Sequence, residues 1–452
     1  MPSSAPAGAS TEEEDAVVAA GAIATSSAAP DAGDPEPQRN KGRRRRKKRR
    51  PRAPTEEEVA ARRLVLRWAC PGREVVAADD GQAAGAGRAR VRRPRVAVEL
   101  HAHSARSDGT LSPAELVERA HRNGVKVLAL TDHDTMAGVP EAVEAAKRHP
   151  IRIIPGVEIS AVHSPSDESG SGAEEPVHIL AYYGSWGPAR PQELEMFLAG
   201  IREGRYARAN EMLLKLGGLG MPMKLEDVCK IAGNGVAPGR LHVARAMVHA
   251  GFVEDLRQAF SRYLYDGGPA YATGSEPTGE SVVQLVCRTG GVTVLAHPWA
   301  LKNPGAVIKN LKAAGLHGIE VYRSDGKVSG TVSSTGLSDL ADTYELLKLG
   351  GSDFHGRDDK EEPDVGSVDL PVLSVFKFLE IAKPIWHNAI KEIFASISKR
   401  TTDLNGSNGF RRISSAGDFC VLRLSCEDPE LTGASEVEVL RTEVADIVLT
   451  HQ

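Results

Sequence analysis

The chain has 452 residues, of which 41% are hydrophobic and 26% charged, values typical of globular proteins. This length accommodates one or two domains, and no apolar run approaches the roughly 18 residues of a membrane-spanning helix. Five scattered cysteines without a CxxC pair indicate reduced thiols, and an acidic stretch at 11–15 argues against a secretory signal. We therefore expect an intracellular protein without a membrane partner, located in the cytoplasm or the nucleus.

The net charge of −4 conceals a basic run at residues 41–52, which holds ten lysines and arginines. Such runs are typical of nuclear import signals and nucleic-acid anchors, although a solvated tail has the same composition. Residues 1–58 are otherwise rich in Ala, Ser, Gly, Pro and Glu, which predicts disorder because little apolar surface can be buried. Residues 59–94 are predicted to be a linker, and EEEVAARRLVLRWA at 56–69 predicts a short helix.

Short β-branched segments alternate with helices from residue 95 onward. A helix is predicted at 112–124, with Ser112 as N-cap, Pro113 at N1 and Glu115 at N3. The alternation predicts parallel strands joined by helical crossovers, and seven strands are close to the number that closes a barrel. The predicted strands are 95–100, 125–130, 151–160, 177–183, 291–298, 318–322 and 346–355.

Two regions fall outside this alternation. A helical stretch at 190–265, between the fourth and fifth strands, predicts an insertion domain that spans about 186–280. Residues 388–452 are predicted to be a C-terminal extension of unknown role, in which two segments have strand-like composition.

Ionisable side chains stand where most of the predicted strands end. The carboxyl ends of the strands in a parallel α/β barrel share one face, so we expect these side chains to meet there. His178 is the exception, since it stands near the start of the fourth strand. The candidate residues are His101, His103, Asp108, Asp132, His133, Asp134, Glu158, His178, His297, Asp353 and His355.

Each of these residues has an ordinary interpretation when it is taken alone. A histidine at a strand end is commonly a hydrogen-bonded core residue, and Asp-Gly is a common turn dipeptide. Burying so many ionisable groups together would cost several kcal/mol each, whereas divalent cations bind neutral imidazole and carboxylate readily. We therefore predict two to three divalent metal ions that support hydrolysis. Manganese is expected for this thiolate-free ligand set, with zinc and iron as alternatives.

Four segments, HAHSARSDG, TDHD, AHP and GSDFH, resemble the motifs of the PHP (polymerase and histidinol phosphatase) family. The resemblance covers about 95–387 and implies an α/β fold, a distorted (β/α)7 TIM-like barrel, with a helical insertion and a trinuclear metal centre. SDGTLSP, ALTDHDT, GVEIS and PIW are most similar to the branch of 3′,5′-nucleoside bisphosphate phosphatases, also described as 5′→3′ exoribonucleases. The loop RSDGKVSGTVSSTG departs from that branch.

The resemblance also implies which side chains hold each metal ion. It assigns one ion to His101, His103, Glu158 and Asp353. It makes Glu158 a bridge to a second ion, which is completed by His178 and His297. It assigns the third ion to Asp108, His133 and His355.

The segment GRLHVARAMV at 239–248 matches the substrate-binding element of the family. Arg240 is the predicted phosphate contact, because a guanidinium binds phosphate bidentately. A solvent-exposed arginine at a helix start is the alternative. Asp132 and Asp134 are the candidates for protonating the leaving oxygen, and the alternative for both is that they orient metal ligands.

Arg202, Arg205 and Arg208 recur every three residues within the predicted helical stretch, which places them on one side of a helix. One interpretation is an electrostatic guide for a nucleotide or an RNA end. The favoured interpretation is a solvated helix face.

The expected reaction is hydrolysis of the 3′-phosphate of nucleoside 3′,5′-bisphosphates, such as adenosine 3′,5′-bisphosphate to AMP and phosphate. Exonuclease cleavage of RNA or DNA oligonucleotides in the 5′→3′ direction is expected from the same chemistry. The expected partners are therefore a nucleotide substrate and RNA ends. Three alternatives stay open: a histidinol phosphatase, a proofreading exonuclease that acts with a polymerase partner, and a nucleic-acid-binding protein with a vestigial metal site.

Overall fold

The computed structural model describes residues 54–70, 96–164, 174–324, 331–333, 335–356 and 362–404. The basic run, most of the predicted linker and the two strand-like C-terminal segments lie outside these residues. Within them the chain forms eight strands: β1 Ala97–Glu99, β2 Val125–Leu130, β3 Arg152–His163, β4 Glu175–Tyr182, β5 Val292–Leu295, β6 Gly318–Ser324, β7 Thr331–Ser333 and β8 Leu347–Gly350.

Helices fill most of the connections between these strands, which makes this an α/β fold.

Among the described residues, no helix combines the length and the apolar character of a bilayer-spanning segment. The helices are α1 Glu56–Ala69, α2 Pro113–Arg122, α3 Val139–Ala146, α4 Pro191–Gly218, α5 Leu225–Ala232, α6 Arg240–His249, α7 Leu256–Ala259, α8 Gly279–Arg288, α9 Pro304–Ala314, α10 Thr335–Thr343 and α11 Val372–Leu404.

The helix predicted at 112–124 is confirmed as α2, and its start shows why the local sequence folds this way. The Ser112 hydroxyl accepts a hydrogen bond from the Glu115 amide, and the Glu115 carboxylate accepts one from the Ser112 amide. This reciprocal capping satisfies amide groups that have no partner within the helix. Gly124 follows with φ +82°, a left-handed conformation that glycine adopts without strain.

The sheet has the strand order β1-β2-β3-β4-β5-β6-β7, and β8 also pairs with β6. The pairs β1–β2, β2–β3, β5–β6 and β6–β8 are parallel, as predicted. The prediction of parallel pairing is wrong for β4, which runs antiparallel to both β3 and β5. All seven predicted strands are present, and Thr331–Ser333 adds a short antiparallel strand beside β6.

The segments that follow β1 and β8 are joined by backbone hydrogen bonds. The His103 amide donates to the Phe354 carbonyl at 2.8 Å, and the Asp353 amide donates to the His101 carbonyl at 3.0 Å. Gly351 is needed here because a Cβ at this position would lie 2.5 Å from the Cβ of His101. The first and last motifs of the sequence therefore lie side by side.

The short helix predicted at 56–69 is confirmed as α1. It packs into the core, so residues 56–58 do not belong to a disordered tail and residues 59–69 do not form a linker. Val65 is fully buried and Trp68 is 6% exposed, within a cluster that includes residues of β1, β2 and α11. The Arg152 guanidinium lies over the Trp68 ring at 5.4 Å and donates to the Trp68 carbonyl. At the other end of the domain, α11 continues through residue 387, where the sequence predicted the domain to stop.

The helices α4 to α8 lie between β4 and β5 in the chain. The first half of α4 contributes Leu194, Leu198 and Ile201 to the sheet core, a buried cluster that also contains residues of β3, β4 and β5. Its second half contributes Met212 and Leu216 to the helical core, a separate cluster formed with α5 to α7. One helix therefore joins the two cores.

Candidate metal centre

All nine predicted metal ligands lie together at one edge of the sheet. His101 and His103 follow β1 and point to the same side, because side chains two residues apart in extended chain share a face. Ala102 between them pairs with Phe354, which brings the loop after β8 to the same place. Three groups of close donor atoms result: His101, His103, Glu158 and Asp353; His103, Asp108, His133 and His355; and His133, Glu158 and His178.

The first group surrounds one point. The Nε2 atoms of His101 and His103 lie 3.2 Å and 3.1 Å from the Glu158 Oε2 atom. The same two nitrogens lie 3.3 Å and 3.2 Å from the Asp353 Oδ1 atom. Two imidazoles and two carboxylates are thus directed at one small volume, as the resemblance implied for the first ion.

Glu158 is shared between two sets of imidazoles. Its Oε2 atom faces His101 and His103, whereas its Oε1 atom lies 3.0 Å from both His178 Nδ1 and His297 Nε2. The antiparallel direction of β4 explains the position of His178, which the strand-end argument did not. Because β4 runs in reverse, its beginning lies beside the carboxyl ends of its neighbours, and His178 pairs in register with Ser160.

A third set lies around Asp108. Its Oδ1 atom is 3.4 Å from His355 Nε2, and its Oδ2 atom is 3.9 Å from His133 Nε2. The Nδ1 atom of His103 is 3.9 Å from the Asp108 Oδ1 atom, so the His103 ring stands between the first and third sets. These spacings leave room for an ion between the donor atoms.

Buried nitrogen atoms without hydrogen bonds indicate that the side chains suit metal ions. Among the described residues, His101 Nε2, both ring nitrogens of His103 and His133 Nδ1 are buried and make no hydrogen bond of acceptable geometry. A buried polar atom without a partner costs about 1–3 kcal/mol. A cation between the imidazoles and the carboxylates would remove this cost, and the nitrogen and oxygen donors suit a divalent transition metal.

The buried charges perturb the pKa values of the cluster strongly. Burial acts to lower the pKa of His103, but Asp353 and Glu158 outweigh it and raise this pKa to about 10. Burial acts to raise the pKa of Glu158, but the surrounding imidazoles hold it well below its usual range. Burial lowers the pKa of His133 to about 3, which favours the neutral imidazole that metal ions bind.

The backbone is strained at three points of the centre. Asp134, His297 and Asp353 have φ values of +53°, +31° and +54°, in the left-handed region that non-glycine residues rarely adopt. Such strain costs of order 1–3 kcal/mol for each residue and is typical of functional sites. Each of these residues either belongs to the ligand set or is adjacent to one of its members.

Asp132 and Asp134 are buried, and neither lines the cavity described below. Asp132 accepts hydrogen bonds from the amide and hydroxyl of Ser104 and from the Ser107 hydroxyl, which holds the loop that carries Asp108. Asp134 accepts hydrogen bonds from the Ser160 amide and from Arg205. Burial acts to raise the pKa of Asp134, but Arg205 lowers it. These contacts are typical of orienting carboxylates.

A cavity of about 250 Å³ opens onto the ligand set. Arg205, Arg208 and Arg240 line it together with Tyr271, Glu276 and several of the predicted ligands. The Arg240 guanidinium pairs with Asp266 and lies 5.5 Å from the centre of the Tyr271 ring. The predicted phosphate contact is therefore at the cavity wall, rather than in bulk solvent.

The favoured interpretation of the three arginines of α4 as a solvated face is wrong. Arg205 is 8% exposed and donates to the Asp134 carboxylate at 2.6 Å and to the Ser160 hydroxyl at 2.7 Å. Arg208 is largely buried and pairs with Glu276. Arg202 donates to the Asp134 carbonyl. The helix face packs against the metal centre because these hydrogen bonds satisfy its charges.

Two buried carboxylates of the site were not predicted from the sequence. Glu99 accepts hydrogen bonds from the amides of His101, Ser352 and Gly366, which fastens β1 to the loop after β8. Glu320 contacts His101 and the backbone of His297. The available signal was a single glutamate inside each apolar strand, VAVEL and GIEVY, at a position that usually faces the core.

Comparison with known proteins gives consistent matches. The model of the PHP domain matches residues 99–214. The chain is 35% identical over 297 residues to the 3′,5′-nucleoside bisphosphate phosphatase of Chromobacterium violaceum, covering 64% of this chain and 95% of the relative. It is 35% identical over 261 residues to the 5′-3′ exoribonuclease of Haemophilus influenzae, covering 57% of this chain and 89% of the relative.

A solved structure described as a metal-dependent phosphoesterase of Bifidobacterium adolescentis is similar to this fold. It has a TM-score of 0.52 and 28% sequence identity, and the match covers 64% of this chain and 97% of that one. The motifs at the strand ends, the convergence of the nine side chains and these similarities agree with one another. The chain therefore belongs to the PHP family.

Proposed function

We propose that this chain is a metal-dependent phosphoesterase that hydrolyses the 3′-phosphate of nucleoside 3′,5′-bisphosphates. The observation that carries the proposal is the shared carboxylate of Glu158, which lies within 3.3 Å of five imidazoles from two sides. The name of the Chromobacterium violaceum relative supports this substrate class. In the overall reaction, adenosine 3′,5′-bisphosphate and water give AMP and inorganic phosphate.

The nine side chains would hold two to three ions, with Glu158 as the bridge between two of them. Manganese suits the mixed imidazole and carboxylate donors, which contain no thiolate. Bound cations would supply the activation of water and the neutralisation of phosphate charge that ester hydrolysis requires. Asp132 would hold the loop that carries Asp108, and Asp134 would hold Arg205 of α4 against Ser160 of β3. Arg240 would bind a phosphate group at the cavity wall.

The architecture that we propose is a distorted barrel with a helical insertion domain. The hydrogen bonds between residues 101–103 and 353–354 support closure, because they join the segments after the first and last strands. The separate helical core of α4 to α7 supports an insertion domain. Arg240 and Tyr271 reach the cavity from this region, so the insertion contributes to substrate binding in this proposal.

An assay of phosphate release tests the proposed reaction. Purified protein is given adenosine 3′,5′-bisphosphate, histidinol phosphate or short 5′-phosphorylated RNA, each with manganese, with zinc or with a chelator. We expect metal-dependent turnover of the bisphosphate and none of histidinol phosphate. Turnover of histidinol phosphate alone would support the histidinol phosphatase alternative, and inactivity with every metal would support a vestigial site.

Exonuclease activity is the second candidate, because the Haemophilus influenzae relative matches at the same identity. Release of 5′-mononucleotides from the 5′-phosphorylated RNA would support it. The substitution Arg240→Ala should lower kcat/KM for either substrate by about 10- to 100-fold, as expected for a lost hydrogen bond to a charged group. Arg288→Ala is the matched control, since Arg288 is 44% exposed and pairs with Glu193.

A further inference from the structure

Glu320 is a buried carboxylate that contacts two of the predicted metal ligands but belongs to none of the ligand sets. It lies on β6 and is 2% exposed. Its Oε1 atom is 3.1 Å from the Nδ1 atom of His101. Its Oε2 atom accepts a hydrogen bond from the backbone amide of His297 at 2.8 Å. Its two oxygens therefore serve ligands on opposite sides of Glu158.

The contact with His101 determines which nitrogen of that imidazole carries the proton. A neutral imidazole has one N–H group, and a carboxylate only accepts hydrogen bonds. The hydrogen bond to Glu320 therefore places the proton on Nδ1 and leaves the lone pair on Nε2. It is Nε2 that lies 3.2 Å from Glu158 and 3.3 Å from Asp353.

The contact with His297 holds a strained backbone. His297 has φ +31°, and its amide group donates to Glu320. This conformation turns the ring so that its Nε2 atom lies 3.0 Å from Glu158 Oε1. Without this acceptor, the backbone amide of His297 would have no hydrogen-bond partner, and His297 would relax toward a more common backbone conformation.

We propose that Glu320 is a positioning residue that fixes the tautomer of His101 and the backbone of His297, and so supports two metal positions at once. The inference rests on the proposed metal centre. Carboxylates that orient histidine ligands typically contribute 10- to 100-fold to metal affinity. Loss of Glu320 should therefore lower the affinity for two ions together. Loss of a residue that supports one ligand should lower the affinity for one ion only.

The test compares Glu320→Gln and Glu320→Ala with Val321→Ala in the full chain. Val321 is the neighbouring residue of β6 and is fully buried in the sheet core, a cluster that contains none of the predicted metal ligands. Metal-free protein is titrated with manganese and with zinc against a chromophoric chelator, and the ions bound per chain are counted. Thermal unfolding of the metal-free variants is measured in parallel.

We expect Glu320→Gln to lower the affinity for two ions by about 10- to 100-fold and Glu320→Ala to lower it further. Val321→Ala should lower the melting temperature and leave both affinities unchanged. Histidine-selective ¹⁵N spectra of the metal-free protein should lose one slowly exchanging imidazole N–H signal in Glu320→Ala. Glu320→Gln is close in shape to the native residue and carries the test if Glu320→Ala does not fold.

The inference is overturned if Glu320→Gln binds both ions as tightly as the unsubstituted chain. It is also overturned if Val321→Ala lowers the affinity for both ions as much as Glu320→Gln does. A loss confined to one ion would also overturn it. If the unsubstituted chain binds no divalent ion, the proposed function itself fails. These outcomes therefore separate an error about Glu320 from an error about the metal centre.

Discussion

Arg205 offers a direct test of the packing of α4 on the site. The pair of Arg205 with Asp134 is buried, with exposures of 8% and 0%. Substitution with methionine keeps the apolar stem but leaves the Asp134 carboxylate without its charge partner. Breaking a buried pair in this way typically costs about 3–5 kcal/mol. With a urea m-value of about 2–3 kcal/mol/M, the unfolding midpoint of Arg205→Met should fall by about 1–2 M.

Urea unfolding in the presence of chelator measures this cost without a contribution from metal binding. The double variant with Asp134→Asn removes the isolated charge, so it should be less destabilised than the sum of the single variants. Arg202→Met is the matched control on the same helix, since Arg202 is 22% exposed and donates to a backbone carbonyl rather than to a buried carboxylate, and it should cost about 1.5 kcal/mol. If Arg205→Met and Arg202→Met cost the same, Arg205 is not a buried partner and the argument is refuted.

Three further predictions address other parts of the chain. Chelation should lower turnover by about a thousandfold or more in the phosphate-release assay, and His103→Ala should do the same, because both remove the proposed ions. Full activity of the His103→Ala variant would contradict the ligand assignment. Trp68→Ala should destabilise the protein by about 3–5 kcal/mol in urea unfolding, whereas a cost near zero would place α1 outside the core. Ser112→Ala should cost about 1 kcal/mol in the same assay through loss of the cap of α2, with Ser112→Thr retaining most of the stability.

The placement of the metal centre could be predicted because its residues stand at strand ends. His101, His103 and His297 follow apolar segments, and the geometry of parallel strands brings such positions to one edge. Glu158 was predicted near the end of its strand and lies inside the longer β3, beyond the last residue that pairs with β2. The position of His178 could not be predicted in this way. Apart from His178 itself, the segment VHILAYY is largely apolar, and a buried strand of this kind has the same composition whether it runs parallel or antiparallel.

Residues that hold other side chains or loops of the site in place were harder to predict than the metal ligands themselves. Glu320 and Glu99 each occupy one position of an apolar strand, and their partners lie elsewhere in the chain. Arg205 has the spacing of a helix face, and spacing alone does not distinguish a face that meets solvent from one that meets carboxylates. The missing information in each case is a contact between segments that are distant in sequence.

The length of α4 has a mechanical consequence for the cavity. Its 28 residues span about 42 Å, with Arg205 near the middle and a different core packed on each half. A rigid rotation of this helix by about 10° around Arg205 would displace Leu216 by about 3 Å, given 1.5 Å of rise per residue. Leu216 packs in the same buried cluster as residues of α6, the helix that begins at Arg240, so such a rotation would move the part of the cavity wall that Arg240 forms.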